Sequence, residues 1–356
     1  MRVAAGMGAD VSRQLGEAWS PLSICAARGF LAAVKTCLAV GAGVELRRAR
    51  GWRALMSAAH GGYEAVVEAL LEAGPSAQAP RLLATACRGI TTPGIVRRLV
   101  KARANVNDRH ESGTALYHAT LRNNLAVMEA LVDLGADVVG AGKGGSTPLH
   151  VAADGEAVRW LVARGASIQG NGVDESPLLR ACREGRIDAV RALVELGADP
   201  RDRDWFSCTP LHKAVCLADE RVAVELTRLL LAAGADPNAV DAEGRTPLHC
   251  VQHGACADLL LDAGADAEER DRDGKTAICA AATEDRREAA LQLASRGAEH
   301  ADSDALLWVV DSVVQSLRAN GSGQPAGSCL GRTAKAMARF KALRKRRARE
   351  QHGANR

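Results

Sequence analysis

A short string of residues recurs along this chain, and it limits the fold more than any other feature of the sequence. Thr-Pro-Leu-His occurs three times, beginning at Thr147, Thr209 and Thr246. Weaker copies begin at Ser20, Arg53, Pro80, Thr114, Ser176 and Thr276. The nine starts lie between 27 and 37 residues apart, around a period near 33, and such a period is typical of chains built from stacked copies of one small unit.

Each copy predicts a pair of helices. A Thr or Ser hydroxyl caps the open N–H groups of a helix start, and Pro fits the first turn because its missing N–H would be unpaired there. A second helix follows, for example over 187–196, where Ile187, Val190, Leu193 and Val194 recur at helical spacing. Gly-Ala-Asp then closes the clearest units, because Gly takes the left-handed conformation past a helix end; these closures begin at Gly135, Gly197, Gly234 and Gly264.

This combination of helix start and helix stop resembles the ankyrin repeat family. The resemblance covers about nine units over residues 17–301 and implies an all-α solenoid of helix-turn-helix units joined by hairpin-like loops. The remaining segments are predicted as an N-terminal extension (1–16), a capping helix (302–319), a flexible linker (320–331) and a basic tail, helical in part (332–356). The family usually binds another protein through the concave face and the hairpin tips.

Three units depart from the pattern. The unit that begins near 80 lacks the Thr and has Lys101-Ala102-Arg103-Ala104 in place of the glycine stop. Between the starts at 147 and 176 the turn between helices is shortened, and the unit that begins at 209 carries an insertion around 218–221. At the first of these units we expect an irregular helix end and irregular stacking on the next unit, and at the other two we expect the stack to bend or open.

Composition narrows the class of protein. Hydrophobic residues make up 47% of the chain but aromatic residues only 3%, which suits thin stacked helices. No long apolar run predicts a membrane span or an export signal. The ten cysteines are scattered without Cys-x-x-Cys spacing, so we expect small buried residues in a reducing compartment, no metal site and no cofactor.

Once the repeats are assigned, no group of residues in the sequence indicates a catalytic site, and we predict that the chain is not an enzyme. His150, His212 and His249 occupy the same motif slot, with Thr147, Thr209 and Thr246 three residues before them. The family resemblance implies hydrogen bonds from these rings to neighbouring backbone. The glycine-rich run at 140–145 lacks the spacing of a phosphate-binding loop.

The candidate partner-binding residues fall into two groups. The first group is predicted at hairpin tips, where large exposed aromatic side chains favour contact with a partner. It consists of Trp205 and Phe206 at one tip and Trp52, beside Arg50 and Arg53, at another. Packing against an adjacent tip is the alternative for Trp52. Basic residues on the first helices could form a track, but ordinary solvated surface charges are the favoured alternative; these residues include Arg122, Arg180, Arg183 and Lys213.

The positive charge is concentrated at the C-terminus. Residues 332–356 contain ten Lys or Arg and one acid, with Arg344, Lys345, Arg346 and Arg347 adjacent. Three functions compete with a merely solvated tail: a nuclear-import signal, a contact with phosphates or an acidic membrane, and a basic helix for a calmodulin-like partner. Phe340 is the only aromatic residue in this segment, and stacking on the bases of a single strand usually needs several. No specific nucleic acid is therefore expected.

We therefore predict a monomeric intracellular scaffold or adaptor for a protein of unknown identity, located in the cytoplasm and in the nucleus if the tail is an import signal. The alternative is a substrate-recognition subunit of a ubiquitin-ligase-type complex. That role requires a C-terminal recruitment box, and residues 328–332 match such a box poorly.

Overall fold

The computed structural model describes residues 20–45, 53–75, 77–78, 81–110, 113–140, 142–170, 172 and 175–296. Within these residues, eighteen α-helices and one short antiparallel strand pair follow the repeat. The chain divides into two compact units, Met1–Pro177 and Leu178–Arg356. None of the described helices combines the length and the apolar character needed to cross a membrane.

The first unit contains five helix pairs and the strand pair. Its helices are α1 (Pro21–Ala27), α2 (Leu31–Ala39), α3 (Ala54–His60), α4 (Glu64–Glu72), α5 (Leu82–Cys87), α6 (Pro93–Lys101), α7 (Ala115–Leu121), α8 (Leu125–Asp133), α9 (Pro148–Val151) and α10 (Gly155–Ala163). Strands β1 (Arg109–His110) and β2 (Gly113–Thr114) precede α7. First helices pack on first helices from α1 to α9, and second helices pack likewise from α2 to α8.

The second unit repeats this arrangement. Its helices are α11 (Pro177–Arg183), which begins at the unit boundary, α12 (Ile187–Glu195), α13 (Pro210–Val215), α14 (Glu220–Ala232), α15 (Pro247–Cys250), α16 (Gly254–Asp262), α17 (Ala277–Thr283) and α18 (Arg287–Arg296). α13 packs on α15 and α15 on α17, while α12, α14, α16 and α18 pack in sequence. Leu and Ala side chains fill the spaces between these layers, and most are buried.

Helix starts follow the predicted hydroxyl caps. Ser20 and Ser23 cap each other's backbone at the start of α1, with N–H to Oγ distances of 2.9 and 3.2 Å. The Thr92 hydroxyl accepts from the Ile95 N–H (3.3 Å) at the start of α6, one helix later than the expected cap of that unit. These bonds satisfy N–H groups that have no partner inside the helix.

The irregular unit near 80 stacks on both sides. α5 packs against α3 and α7, and α6 packs against α4 and α8. Its helix end is closed without glycine, because Arg103 itself adopts the left-handed conformation with φ of 70°. The expectation of irregular stacking is therefore wrong for this unit, since it packs on the next unit and its helix end reproduces the glycine geometry.

The insertion around 218–221 lengthens a helix and does not open a loop. α14 has 13 residues, whereas the preceding second helix, α12, has nine. The Asp219 carboxylate accepts from the N–H groups of Arg221 (2.9 Å) and Val222 (3.2 Å), so the inserted residues begin a capped helix. The shortened turn after α9 is closed in the same way, with Asp154 accepting from the Glu156 N–H at 3.0 Å.

Candidate partner-binding surface

The three motif histidines join each repeat to the next. The backbone N–H of Thr147 donates to Nδ1 of His150 (3.0 Å), and Nε2 of the same ring donates to the Glu175 carbonyl (2.9 Å). The other two rings repeat this pattern: the Nε2 atoms of His212 and His249 reach the carbonyls of Arg245 (2.9 Å) and Lys275 (3.0 Å). Their Nδ1 atoms accept from the N–H groups of Thr209 and Thr246, both at 3.2 Å.

This geometry fixes the protonation of the rings. Because Nδ1 accepts from a backbone N–H, the single proton of the neutral ring is on Nε2. Burial lowers the pKa of His212 and of His249, which favours this neutral form. Both nitrogens of each ring are occupied by backbone bonds, so the arrangement holds repeats together and leaves no nitrogen for acid–base chemistry.

Three hairpin tips in the second unit are built around one carboxylate each. Oδ1 of Asp204 accepts from the N–H groups of Phe206 and Cys208, both at 2.9 Å. Asp241 and Asp271 make the same pair of bonds to the residues two and four positions later, at 2.8 to 3.0 Å. A carboxylate that accepts two backbone N–H bonds holds its turn in one conformation.

Neighbouring tips are also hydrogen-bonded to each other. The Ala242 N–H donates to the Phe206 carbonyl (2.8 Å), and the Arg272 N–H donates to the Glu243 carbonyl (3.0 Å). The turns therefore form a ladder with a fixed register, in which residues 205–206, 242–243 and 272–273 occupy equivalent positions.

Aromatic side chains occupy only the first of these three tips. Trp205 is 78% exposed and Phe206 is 70% exposed, whereas the equivalent positions hold Ala and Glu in the second tip and Arg and Asp in the third. We call Trp205 and Phe206 the aromatic tip. Next to it lies exposed Val240, whose carbonyl accepts from the Arg203 guanidinium at 2.7 Å.

The predicted basic residues are mostly paired with acids. Lys213 Nζ lies 2.6 Å from Asp204 Oδ2, so it braces the turn that carries the aromatic tip. Arg180 and Arg183 both face Glu184, at 3.6 and 3.8 Å, and Arg53 pairs with Glu45 at 2.6 Å. Arg122 is exposed. In neither unit does the structure assemble these side chains into an unpaired basic track.

Several predicted site residues lie outside the described part of the chain. They are Arg50 and Trp52 near the second repeat and Arg344, Lys345, Arg346 and Arg347 in the tail. The predicted capping helix and linker lie outside it as well.

Comparison with known families agrees with the repeat geometry. One family model, described as ankyrin repeats (3 copies), matches residues 3–80, 83–171 and 217–304, and a second, described as ankyrin repeats (many copies), matches residues 178–216. The chain belongs to the ankyrin repeat family. The predicted all-α ankyrin solenoid is thereby confirmed, and ankyrin repeats are scaffolds for protein–protein interaction.

Individual relatives match only parts of the chain. Protein PhlB of Serratia liquefaciens is 36% identical over 124 residues, which is 32% of this chain and 55% of PhlB. Palmitoyltransferase Hip14 of Drosophila melanogaster is 34% identical over 106 residues, 28% of this chain and 17% of that protein. The chain thus spans about half of PhlB and a small part of Hip14. Among solved structures, the human ASB11 ankyrin repeat domain has 28% identity and a TM-score of 0.47, and the match covers 70% of this chain and 99% of that domain.

Sequence reasoning missed one cluster on these ankyrin repeats. Six of the nine described cysteines are buried as expected, but Cys208, Cys216 and Cys250 are not. All three line one cavity of about 170 Å³ in the second unit, together with Lys213, Arg245 and Arg286. The expectation that cysteines replace buried alanines is wrong for these three, because they lie at helix ends and beside a tip.

Proposed function

We propose that this protein is a non-enzymatic adaptor whose ankyrin repeats bind a protein partner through the aromatic tip and the adjoining surface of the second unit. The exposure of Trp205 and Phe206 carries the proposal. Each ring leaves most of its surface in water, while the equivalent positions of the other two tips hold no aromatic side chain, and aromatic residues are over-represented among side chains that dominate binding energy.

The turn beneath the aromatic tip supports this function because it is already ordered. The Asp204 carboxylate fixes the backbone of Phe206, Lys213 neutralises that carboxylate, and the Phe206 carbonyl is bonded to the next tip. Binding to a turn held in this way requires little loss of backbone freedom.

The charges around the tip favour an apolar contact over an ionic one. Lys213 is paired with Asp204, and Arg203 is bonded to the carbonyls of Ser207 (3.3 Å) and Val240 (2.7 Å). We therefore expect the partner to present an apolar pocket or groove to the two rings, with polar groups at its edge.

The experiment compares partner recovery by three forms of the full chain: wild type, Trp205→Ala/Phe206→Ala, and the control Arg272→Ala/Asp273→Ala in the third tip. Proteins recovered with wild type and control but lost with the aromatic double variant are candidates, whose affinity is then measured with purified protein. Because a dominant side chain contributes about 2 kcal/mol or more, we expect a weakening of at least ~30-fold. Equal recovery with all three forms would refute a role for the tip.

The alternative of a ubiquitin-ligase substrate receptor depends on residues 328–332, which the structure does not describe. No observation on the described residues favours it, and it is not part of the proposal.

A further inference from the structure

Cys216 and Cys250 meet where two neighbouring repeats pack together. Cys216 directly follows α13, Cys250 ends α15, and these helices are in contact. The Cys216 thiol donates to the Cys250 carbonyl oxygen, with a distance of 3.6 Å from Sγ to the oxygen, so the two residues are in direct contact. Both are reduced in the structure.

The pair is accessible to small molecules. Cys216 is exposed, Cys250 is half-buried, and both line the 170 Å³ cavity described above. The side chains of Cys25, Cys37, Cys87, Cys182, Cys256 and Cys279 are buried. Of the described thiols, those that line this cavity are therefore the ones that a small reagent in solution reaches most readily. Cys208 is the third thiol in the cavity.

The surroundings give the two sulfurs different roles. The pKa of Cys216 is lowered, chiefly by the hydrogen bond from the Cys250 thiol and also by the positive charges of Arg286, Lys213 and Arg245, while burial opposes the change. The same hydrogen bond and burial raise the pKa of Cys250, and burial raises the pKa of Cys208. Because Cys216 is exposed and Cys250 is half-buried, a reagent reaches Cys216 first, and its lowered pKa agrees with Cys216 as the nucleophile and Cys250 as the thiol that reacts second.

From this cluster we propose that Cys216 and Cys250 form a peroxide-reactive dithiol that closes to a disulfide between two neighbouring ankyrin repeats. This goes beyond partner binding and does not depend on the proposed function.

The reaction balances with hydrogen peroxide as the oxidant. The Cys216 thiolate attacks one peroxide oxygen, the O–O bond breaks, and the leaving hydroxide takes up a proton to become water. Cys216 is then a neutral sulfenic acid, and the Cys250 thiol no longer donates its proton to a negatively charged sulfur. The Cys250 sulfur attacks the Cys216 sulfur, and the hydroxyl leaves as water with the Cys250 proton, so that two thiols are oxidised by two electrons and one peroxide is reduced to two waters.

The test uses the full chain with stoichiometric hydrogen peroxide, followed by mass spectrometry of a non-reduced digest. We expect one predominant product, a Cys216–Cys250 cross-link that dithiothreitol removes. In a separate arm, iodoacetamide labelling at pH 7 should modify Cys216 about tenfold faster than Cys208, because a lowered pKa increases the thiolate fraction.

Three Ser variants separate the roles. Cys250→Ser should leave Cys216 as a sulfenic acid that dimedone traps, Cys216→Ser should abolish the cross-link and leave Cys250 unmodified, and Cys208→Ser should behave as wild type. Circular dichroism confirms that each variant is folded. A predominant Cys208–Cys216 cross-link, equal labelling of Cys216 and Cys208, or dimedone trapping of Cys216 in the wild type without a disulfide would overturn the proposal.

Discussion

Replacing Arg103 by glycine should stabilise the protein, although it removes a large side chain. Arg103 follows α6 with φ of 70°, at the position where Gly135, Gly165 and Gly197 close other second helices with φ of 92° to 93°. Its N–H bonds to the Val100 carbonyl (2.9 Å), and the Ala104 N–H bonds to the Leu99 carbonyl (2.9 Å). Gly135 and Ala136 make the same two bonds, so only the side chain differs.

The magnitude follows from two opposing effects. A residue with a Cβ loses about 1–2 kcal/mol in the left-handed conformation. Glycine offsets about 0.4–1 kcal/mol of this gain, because the unfolded chain with glycine at this position has more conformational entropy to lose on folding. The Arg103 side chain is exposed and forms no ion pair with a described residue, so the net gain should be about 0.5–1 kcal/mol, or ~1–4 °C in the unfolding midpoint.

The assay is urea unfolding followed by circular dichroism, together with hydrogen exchange of the Ala104 amide, since repeat arrays can unfold in parts. Arg103→Ala is the matched control, because alanine removes the same charge but keeps the strained Cβ. A gain with glycine and none with alanine fits the reasoning. Equal stability of the two variants, or a loss with glycine, would show that backbone strain at this helix end is negligible.

Three further predictions concern the repeats and the tail. His249→Ala removes the acceptor for the buried Thr246 N–H and the donor to the half-buried Lys275 carbonyl. Leaving both groups unpaired should lower the free energy of unfolding by about 2–4 kcal/mol, and a loss below ~0.5 kcal/mol in urea unfolding would contradict this role. Burial lowers the folded-state pKa of His212 and His249. The stability that these neutral rings contribute is therefore fully present above the unfolded-state pKa near 6.5 and is lost as pH falls through the folded-state pKa. The free energy of unfolding should fall between pH 8 and pH 5, and His212→Gln/His249→Gln should reduce this pH dependence. If the tail is an import signal, a fluorescent fusion carrying alanine at Arg344, Lys345, Arg346 and Arg347 should leave the nucleus; an unchanged distribution would exclude import through these residues.

Helix starts and stops could be predicted because their signals are local. A Thr-Pro pair or a glycine acts on the turn in which it stands, so the helices beginning at Pro148, Pro210 and Pro247 follow directly from sequence. The close of α6 could not be predicted, because stacking of α6 between α4 and α8 holds Arg103 in a conformation that its own preference opposes. The signal for the extended α14 was present in Asp219, a capping residue, although the repeat spacing indicated only an insertion and did not predict the longer helix.

The thiol cluster depends on three-dimensional register and was not visible in the sequence. Cys216 and Cys250 are 34 positions apart and do not occupy equivalent slots of their repeats. They meet because α15 ends at Cys250, which places that residue beside the end of α13. The position of Trp205 and Phe206 within a turn could be inferred from the motif spacing, whereas the hydrogen bonds to the following tip depend on how neighbouring repeats stack and are seen only in the structure.

The ladder of tips has a consequence for any partner that grips the aromatic rings. Since the Phe206 carbonyl is held by Ala242 and the next tip by Arg272, the rings keep their orientation only while the following repeats remain folded. Local unfolding of a repeat that the partner does not contact would lower the affinity of the partner for the rings, and a bound partner would in turn oppose that unfolding. Affinity at one tip would then report on the integrity of the repeats beyond it.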